Sequence, residues 1–264
     1  MSLHDDVAVS VPFLLVQLSD FHIGAEWAEG DPVAGLAAAV AEVSRLGQRP
    51  DAMLVTGDLS DNATEAEYKQ VRELLAPLGA PLYVLPGNHD DRAALRRHFG
   101  VPGSGDELVQ YAADLGPLRL VVLDTALRGL NPGTLDGERL RWLDAELARS
   151  PHVPTLVAMH HPPFATGVRP WDELGGIPPA ELTALAEVVE RHPQVRRLVS
   201  GHFHRTITGT VAGRPALVVP STYVQGRLDF VMQEIELADE PAGFAAHAVL
   251  DGEVVSHIQP VDRA

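Results

Sequence analysis

The sequence contains no cysteine. This absence excludes a disulfide framework, a thiolate metal site and a cysteine nucleophile. A metal site in this chain must therefore be built from oxygen and imidazole ligands.

Positive charge is also scarce, because 20 lysines and arginines face 36 acidic residues and give a formal net charge of −16. A nucleic acid partner is not expected, since the chain offers no basic surplus to offset the repulsion between two polyanions. A small phosphate substrate is still compatible with this charge, because bound metal cations would dominate the local field.

Long hydrophobic runs are missing as well. No apolar segment approaches the ~18 residues that a membrane-spanning helix needs. The apolar stretch Val7 to Val16 follows the acidic residues Asp5 and Asp6, whereas a signal peptide begins with a basic region. We therefore expect a cytoplasmic protein with no membrane partner. The length of 264 residues predicts a single domain over residues 1–264. If this domain contains two β-sheets, residues 226–264 are expected to add strands to the second one.

Polar side chains with ligand chemistry follow five strand-like runs. Leu54 to Leu59 is the central example, since its apolar part ends at Gly57 and the carboxylate of Asp58 follows. A Gly-Asp pair after a strand indicates by itself only a turn. Four other runs end in the same way, however: Phe13 to Leu18 before Asp20 and His22, Pro81 to Leu85 before Asn88 and His89, Thr155 to Met159 before His160 and His161, and Val195 to Val199 before His202 and His204.

The number and type of these side chains predict a pair of metal ions. The candidate ligands are Asp20, His22, Asp58, Asn88, His160, His202 and His204. Such a set suits manganese, iron or zinc better than calcium, and it fits two ions that share Asp58. Adjacent strand residues face opposite ways, so we expect one of His160 and His161 to be a ligand and the other to be structural.

Strand-like and helical segments alternate up to about residue 200. Helical spacing is found at Pro32 to Leu46, Thr64 to Leu75, Leu135 to Ala148 and Pro179 to Arg191. From about residue 206 only short strands are predicted, and Asp229 to Leu237 is one of them. The pattern predicts an α/β protein with two stacked mixed β-sheets flanked by helices, and a site at the strand ends.

The motifs Asp20-x-His22, Gly57-Asp58, Gly87-Asn88-His89-Asp90, His160-His161-Pro162-Pro163 and Gly201-His202-x-His204 resemble the calcineurin-like metallophosphoesterase superfamily. Within it, Ser19-Asp20-Phe21-His22 and Pro220-Ser221-Thr222 resemble the class III cyclic nucleotide phosphodiesterases. The resemblance implies a four-layer αββα sandwich and a possible role for residues 226–264 in a homodimer.

The resemblance also implies roles for individual residues. Asp20, His22, Asp58 and His204 would hold one metal, and Asp58, Asn88, His160 and His202 would hold the other. A hydroxide that bridges the two ions would attack the phosphodiester, and His89 would assist the leaving group. Either Asp61 or Asp90 would orient the His89 ring. The expected substrate contacts are Asn88, His89, His161 and Trp171, although Trp171 is as readily explained as a packed loop anchor.

The expected activity is metal-dependent hydrolysis of phosphodiesters, with 3′,5′-cyclic nucleotides such as cyclic AMP as the first candidate substrates. A glycerophosphodiesterase or a broad-specificity phosphatase of the same superfamily is the alternative. A non-catalytic metal-binding scaffold is the remote alternative, because such a scaffold is expected to lack ligands or the His89 equivalent, and this chain has both.

Overall fold

The computed structural model describes residues 11–262. Residues 7–10 of the predicted apolar stretch lie outside this range. Among residues 11–262, no helix has the length and apolar character that crossing a membrane requires.

The first sheet has five strands. In spatial order they are β13 (Glu253–Val261), β12 (Ala242–Leu250), β1 (Phe13–Leu18), β2 (Ala52–Val55) and β3 (Leu82–Val84). Strands β1, β2 and β3 are parallel, so their carboxyl ends share one edge of the sheet, and β12 and β13 are antiparallel to their neighbours.

The second sheet has six strands. Their spatial order is β4 (Tyr111–Asp114), β5 (Arg119–Val122), β6 (Thr155–Ala158), β7 (Val195–Ser200), β9 (Arg214–Val218) and β8 (Ile207–Val211). Strands β5, β6, β7 and β9 are parallel to one another, while β4 and β8 run antiparallel at the two edges. A separate two-stranded ladder pairs β10 (Gln225–Gly226) with β11 (Leu237–Ala238).

Between residues 11 and 262, six α-helices connect these strands. They are α1 (Pro32–Ser44), α2 (Glu65–Leu75), α3 (Arg92–Phe99), α4 (Gly137–Ala148), α5 (Arg169–Leu174) and α6 (Pro179–Arg191). Among the described residues, the starts of four helices follow from side-chain caps: Asp31 caps α1, Asp91 caps α3, Asp136 caps α4, and Thr64 forms a capping box with Glu67 at α2.

Three hydrophobic clusters of described residues lie between the sheets and helices. Alternate residues of β1 show the arrangement, because Leu15 packs between the two sheets and Val16 packs under α1, α2 and α3. Leu143 of α4 and Leu185 of α6 pack on the outer face of the second sheet. The predicted α/β fold with two stacked mixed sheets flanked by helices is thereby confirmed.

The sequence prediction for the C-terminal strands is wrong about the sheet that they join. Strand β12 pairs with β1, from Phe13 opposite Val249 to Gln17 opposite Ala245, and so extends the first sheet. The hairpin of β8 and β9 already completes that side of the second sheet, whereas β1 would otherwise have an unpaired edge.

Two local predictions also differ from the structure. The predicted strand Asp229 to Leu237 is reduced to its last residue, which belongs to β11, and residues 229–236 are not in a strand. Asp229 accepts a hydrogen bond from the Val231 N–H and turns the chain. The Gly/Pro-rich segment around Trp171, which the sequence indicates to be a loop, contains the short helix α5.

Candidate active site

The carboxyl ends of five strands meet at one edge of the sandwich. The loops after β1, β2 and β3 come from the first sheet, and those after β6 and β7 come from the second. Backbone hydrogen bonds join neighbouring loops, for example from the His22 N–H to the Asp58 carbonyl and from the Gly201 N–H to the His160 carbonyl. The His202 N–H connects the two sheets, since it lies 3.1 Å from both carboxylate oxygens of Asp20.

The seven predicted ligands are brought together here, and we call them the donor cluster: Asp20, His22, Asp58, Asn88, His160, His202 and His204. Five of them have left-handed backbone conformations, with φ between 48° and 75°: Asp20, His22, Asp58, His202 and His204. Such conformations cost roughly 1–3 kcal/mol each in residues with a side chain, and they persist where the surrounding structure holds them. The strain turns these side chains inward at the strand ends.

The first half of the donor cluster contains His22, His204 and Asp20. The Nε2 atoms of His22 and His204 lie 3.0 Å apart, and His204 Nε2 lies 3.6 Å from Asp20 Oδ1. The Nδ1 atom of His22 donates to the Asp61 carboxylate, and that of His204 donates to the Val224 carbonyl. In the neutral rings both Nε2 atoms therefore present lone pairs to each other, and either a proton on one ring or a metal ion between the two rings would satisfy them.

The second half contains Asn88, His160 and His202. His160 Nε2 lies 3.1 Å from Asn88 Oδ1 and 3.1 Å from His202 Nδ1. His160 Nδ1 donates to the Thr56 carbonyl at 2.7 Å, so its Nε2 again presents a lone pair to other acceptors. Each half of the donor cluster therefore brings two imidazole nitrogens within about 3.1 Å of each other.

Asp58 lies between the two halves. Its Oδ2 atom is 3.5 Å from His22 Nε2 and 3.4 Å from His160 Nε2, and its Oδ1 atom accepts from the His89 N–H at 3.0 Å. Gly87 permits this position, because a Cβ atom at residue 87 would come within 2.0 Å of Asp58 Oδ1. A single carboxylate can therefore face two cation positions.

Burial and charge shift the titration of the donor cluster. Burial alone would raise the pKa of Asp58, but the neighbouring His160 and His22 hold that pKa well below its usual range. Burial likewise disfavours the charged form of His160, yet the Asp58 carboxylate raises the His160 pKa to about 9. Burial, with His22 nearby, lowers the pKa of His204 to about 3. The buried carboxylates thus draw protons onto some imidazoles, and a metal cation would take the place of those protons.

The chemistry of the donor cluster fits a pair of transition metal ions. Its members offer imidazole, carboxylate and amide donors without sulfur, which manganese, iron and zinc accept. Three of its histidines donate their Nδ1–H to neighbouring oxygens: His22 to Asp61, His160 to Thr56 and His204 to Val224. These hydrogen bonds fix the ring tautomers, as is usual for histidines that bind metals.

His89 lies beside the donor cluster and lines the adjacent cavity. Its Nδ1 atom donates to the Asp61 carbonyl at 3.0 Å and lies 3.4 Å from Asp61 Oδ1. Asp90 makes no such contact, because its oxygens accept from backbone N–H groups such as that of Gly87 and from the Tyr68 hydroxyl. Of the two carboxylates that the sequence left open, Asp61 is the one that contacts the His89 ring.

Two of the predicted substrate contacts, His161 and Trp171, differ in their access to the cavity above the donor cluster. His161 is fully buried, and its ring nitrogens are taken up by the Thr125 hydroxyl and the Asn131 carbonyl. Burial lowers the His161 pKa to about 3. Trp171 lines the cavity and also stacks on Phe203 with ring centroids 5.4 Å apart, so its position is compatible with a substrate contact and with a packed anchor of its segment.

A cavity of about 210 Å³ opens over the donor cluster. Sequence reasoning missed part of its lining, namely Trp27, Leu174, Ile235 and Leu237. Trp27 follows the predicted ligand His22 by five residues, but no motif in the sequence distinguishes it. Ile235 and Leu237 belong to a segment that was predicted as a strand. Among residues 11–262, no lysine or arginine lines this cavity.

Comparison with known protein families agrees with this geometry. The sequence model of the calcineurin-like phosphoesterase family matches residues 13–206. A solved structure titled as a dimetal phosphatase from Danio rerio has a similar fold, with a TM-score of 0.70, 19% identity, and coverage of 96% of this chain and 97% of that chain.

Three relatives with similar sequences are named as phosphodiesterases. A glycerophosphodiester phosphodiesterase (GpdQ) of Enterobacter lignolyticus is 36% identical, over 78% of this chain and 77% of the relative. A 3′,5′-cyclic adenosine monophosphate phosphodiesterase (CpdA) of Pseudomonas aeruginosa is 34% identical, over 89% and 87%. A cAMP/cGMP dual specificity phosphodiesterase of Mycobacterium tuberculosis is 33% identical, over 80% and 67%.

Proposed function

We propose that this chain, which belongs to the calcineurin-like phosphoesterase family and is a metal-dependent hydrolase, hydrolyses phosphodiesters. Its preferred substrates in this proposal are 3′,5′-cyclic nucleotides such as cyclic AMP. The observation that carries the proposal is the convergence of imidazole and carboxylate lone pairs on both sides of Asp58.

We assign Asp20, His22 and His204 to one ion, and Asn88, His160 and His202 to the other, with Asp58 shared between them. Manganese, iron and zinc are the candidate ions. When bound, two such ions would supply Lewis acidity toward the phosphoryl oxygens and an activated water.

His89 is assigned as the group that protonates the departing alkoxide. The Asp61 carbonyl holds Nδ1–H, which leaves Nε2 as the ring nitrogen that can exchange a proton in the cavity. The ring is about one-third exposed, so a substrate can reach it. Asp61 acts through His89 and His22 as a positioning residue.

The charge of the cavity favours a diester over a monoester. A phosphodiester carries one negative charge, whereas a phosphomonoester near neutral pH carries up to two. Apart from the two proposed ions, which either ester would meet, the lining of the cavity between residues 11 and 262 provides no arginine or lysine to neutralise the second charge. Relatives named as cyclic nucleotide phosphodiesterases support the choice of cyclic AMP within the diesters.

Glycerophosphodiesters are the second candidate substrates. They are also singly charged at the phosphate, and the GpdQ relatives are as similar to this chain as the cyclic nucleotide phosphodiesterases are.

One assay tests the proposal. Metal-stripped protein is reloaded with Mn²⁺, and kcat/KM is measured for cyclic AMP, a glycerophosphodiester, bis(4-nitrophenyl) phosphate and 4-nitrophenyl phosphate. We expect diester hydrolysis only after metal is restored, with cyclic AMP preferred over the glycerophosphodiester and aryl monoester turnover far below aryl diester turnover. Asp58→Asn, reloaded in the same way, controls for contaminating hydrolases. Monoester turnover well above diester turnover would overturn the assignment.

A further inference from the structure

Residues 225–238 form a hairpin beside the donor cluster, and we call it the rim hairpin. Its base is the β10–β11 ladder, in which Gly226 lies opposite Leu237. One further hydrogen bond, from the Arg227 N–H to the Glu236 carbonyl at 2.8 Å, continues the pairing toward the tip. Arg227 and Glu236 also form an ion pair across the hairpin.

The rim hairpin is fixed to the metal-site loops. The Gly226 N–H donates to the His204 carbonyl at 2.9 Å. A Cβ atom at residue 226 would lie 2.6 Å from the Phe203 carbonyl and 2.9 Å from the Trp171 ring, so glycine allows the close approach. Met232, near the tip of the rim hairpin, is buried in one hydrophobic cluster with Trp171 and Phe203 and packs the hairpin against them.

Apolar side chains of this hairpin face the cavity. Ile235 and Leu237 line it together with Leu174 of α5, above the stacked rings of Trp171 and Phe203. We call these five residues the apolar shelf. Ile235 is 49% exposed and Leu237 is 43% exposed. Half-exposed apolar residues that line a cavity would be covered when a ligand binds.

The cavity therefore has two chemically different sides. One side is the donor cluster with His89, which would take the phosphate, and the other is the apolar shelf. A ligand that suits both sides carries a singly charged phosphate at one end and a flat apolar ring at the other. We infer that the apolar shelf binds the ring of the ester group, which is the base in a cyclic nucleotide, and that Ile235 and Leu237 determine this specificity. The inference rests on the proposed phosphodiesterase function.

Single variants Ile235→Ser and Leu237→Ser test the inference. Val231→Ser is the matched control, since Val231 lies in the same hairpin, is 79% exposed and does not line the cavity. For each Mn²⁺-loaded protein, kcat/KM is measured for cyclic AMP, bis(4-nitrophenyl) phosphate and a ring-free glycerophosphodiester. Each variant is compared with the wild type on the same substrate, so the intrinsic reactivity of the three diesters cancels.

We expect Ile235→Ser and Leu237→Ser to lose roughly tenfold in kcat/KM toward the two ring-bearing diesters, mostly through KM. The loss toward the ring-free diester should be several times smaller, and Val231→Ser should behave like the wild type. Equal losses on all three substrates, or losses in Val231→Ser that match those of Ile235→Ser, would overturn the inference. Melting temperatures check folding, and Ile235→Ala replaces any serine variant that does not fold.

The same data separate the inference from the proposed function. If the wild type fails on cyclic AMP, the cyclic nucleotide assignment falls, and the ratio between the aryl and ring-free diesters still decides the role of the apolar shelf. If cyclic AMP is hydrolysed well and the shelf variants show no ring-dependent loss, the proposed function stands and the inference falls.

Discussion

Asp61 uses different atoms to contact two histidines. Its Oδ1 atom accepts from His22 Nδ1 at 2.9 Å, and its backbone carbonyl accepts from His89 Nδ1 at 3.0 Å. Trp27 donates its indole N–H to the same Oδ1 atom at 2.9 Å, and its ring meets the His22 ring edge-on. Trp27 is thus linked to the donor cluster through a single carboxylate oxygen.

Trp27→Phe keeps an aromatic ring but removes the N–H group that fixes Asp61. We expect Mn²⁺ affinity to fall by about tenfold at the position that includes His22, because partners one shell beyond a metal ligand have effects of this size. Calorimetric titration of the metal-stripped protein measures the affinity. Trp142→Phe, on α4 away from the cavity, is the matched control. Unchanged affinity in Trp27→Phe would contradict this role.

His89→Gln tests the proposed proton donor. Loss of general acid catalysis costs roughly 100-fold or more when the leaving group is a poor one. We therefore expect a large fall in kcat for cyclic AMP, which expels an alkoxide, and a much smaller fall for bis(4-nitrophenyl) phosphate. The exposed His152 provides a control through His152→Gln. Equal losses on both substrates would remove the role assigned to His89.

At the residue scale, the sequence was most informative where a ligand follows directly after a strand. It identified the donor cluster because each member occupies a fixed place in a short motif. It could not decide between Asp61 and Asp90, because that choice depends on where the loop after β2 lies relative to His89. His161 was predicted as a substrate contact because it neighbours a ligand, but its ring points to Thr125 and Asn131.

Strand β12 carries a fully buried histidine that the active site does not use. His247 Nε2 donates to Gln17 Oε1 on β1, and His247 Nδ1 accepts from the Ser256 hydroxyl on β13. Burial, with the nearby Arg197, lowers the His247 pKa from 6.5 to about 3. The neutral ring thus joins three strands of the first sheet.

This shift predicts an acid-sensitive contribution to stability. Between pH 6.5 and about 3 the unfolded chain binds a proton at His247 that the folded chain does not, so the free energy of unfolding falls as the pH falls. The contribution is complete above pH 6.5, and its slope is at most about 1.4 kcal/mol per pH unit.

Urea denaturation of wild type and His247→Gln across this pH range measures the effect. We expect the variant to have a shallower pH dependence, because glutamine can hydrogen-bond to both neighbours without titrating. His152→Gln should keep the wild-type slope. Identical slopes in the wild type and His247→Gln would show that His247 does not titrate in this way.

For helices and strands, the sequence predicted an element correctly where its own residues determine it, and failed where a partner elsewhere in the chain determines it. Strand β1 and helix α6 have the bounds that the sequence predicted, since β1 is a short apolar run buried on both faces and α6 buries one apolar face. The partner of β12 was not predictable, because alternation in a strand does not specify which sheet edge it joins. The segment Asp229 to Leu237 was predicted as a strand for a related reason, since Ile235 and Leu237 line the cavity and of these residues the structure places Leu237 alone in a strand.

The two sheets together create the site. The first sheet contributes Asp20, His22, Asp58 and Asn88, and the second contributes His160, His202 and His204. Neither sheet alone supplies a complete set of ligands for either proposed ion. The stacked arrangement was predictable from the order of strands and helices, whereas the pairing of His22 with His204, whose Nε2 atoms lie 3.0 Å apart, was expected only from the resemblance to a known family.

The number of Mn²⁺ ions that the metal-stripped chain binds tests this account most directly. Calorimetric titration should give two ions per chain for the wild type, and elemental analysis of the reloaded protein should agree. Asp58→Asn should bind more weakly at both positions, since Asp58 Oδ2 faces His22 on one side and His160 on the other. A wild-type chain that binds no ion, or one whose binding is unaffected by Asp58→Asn, would contradict the account.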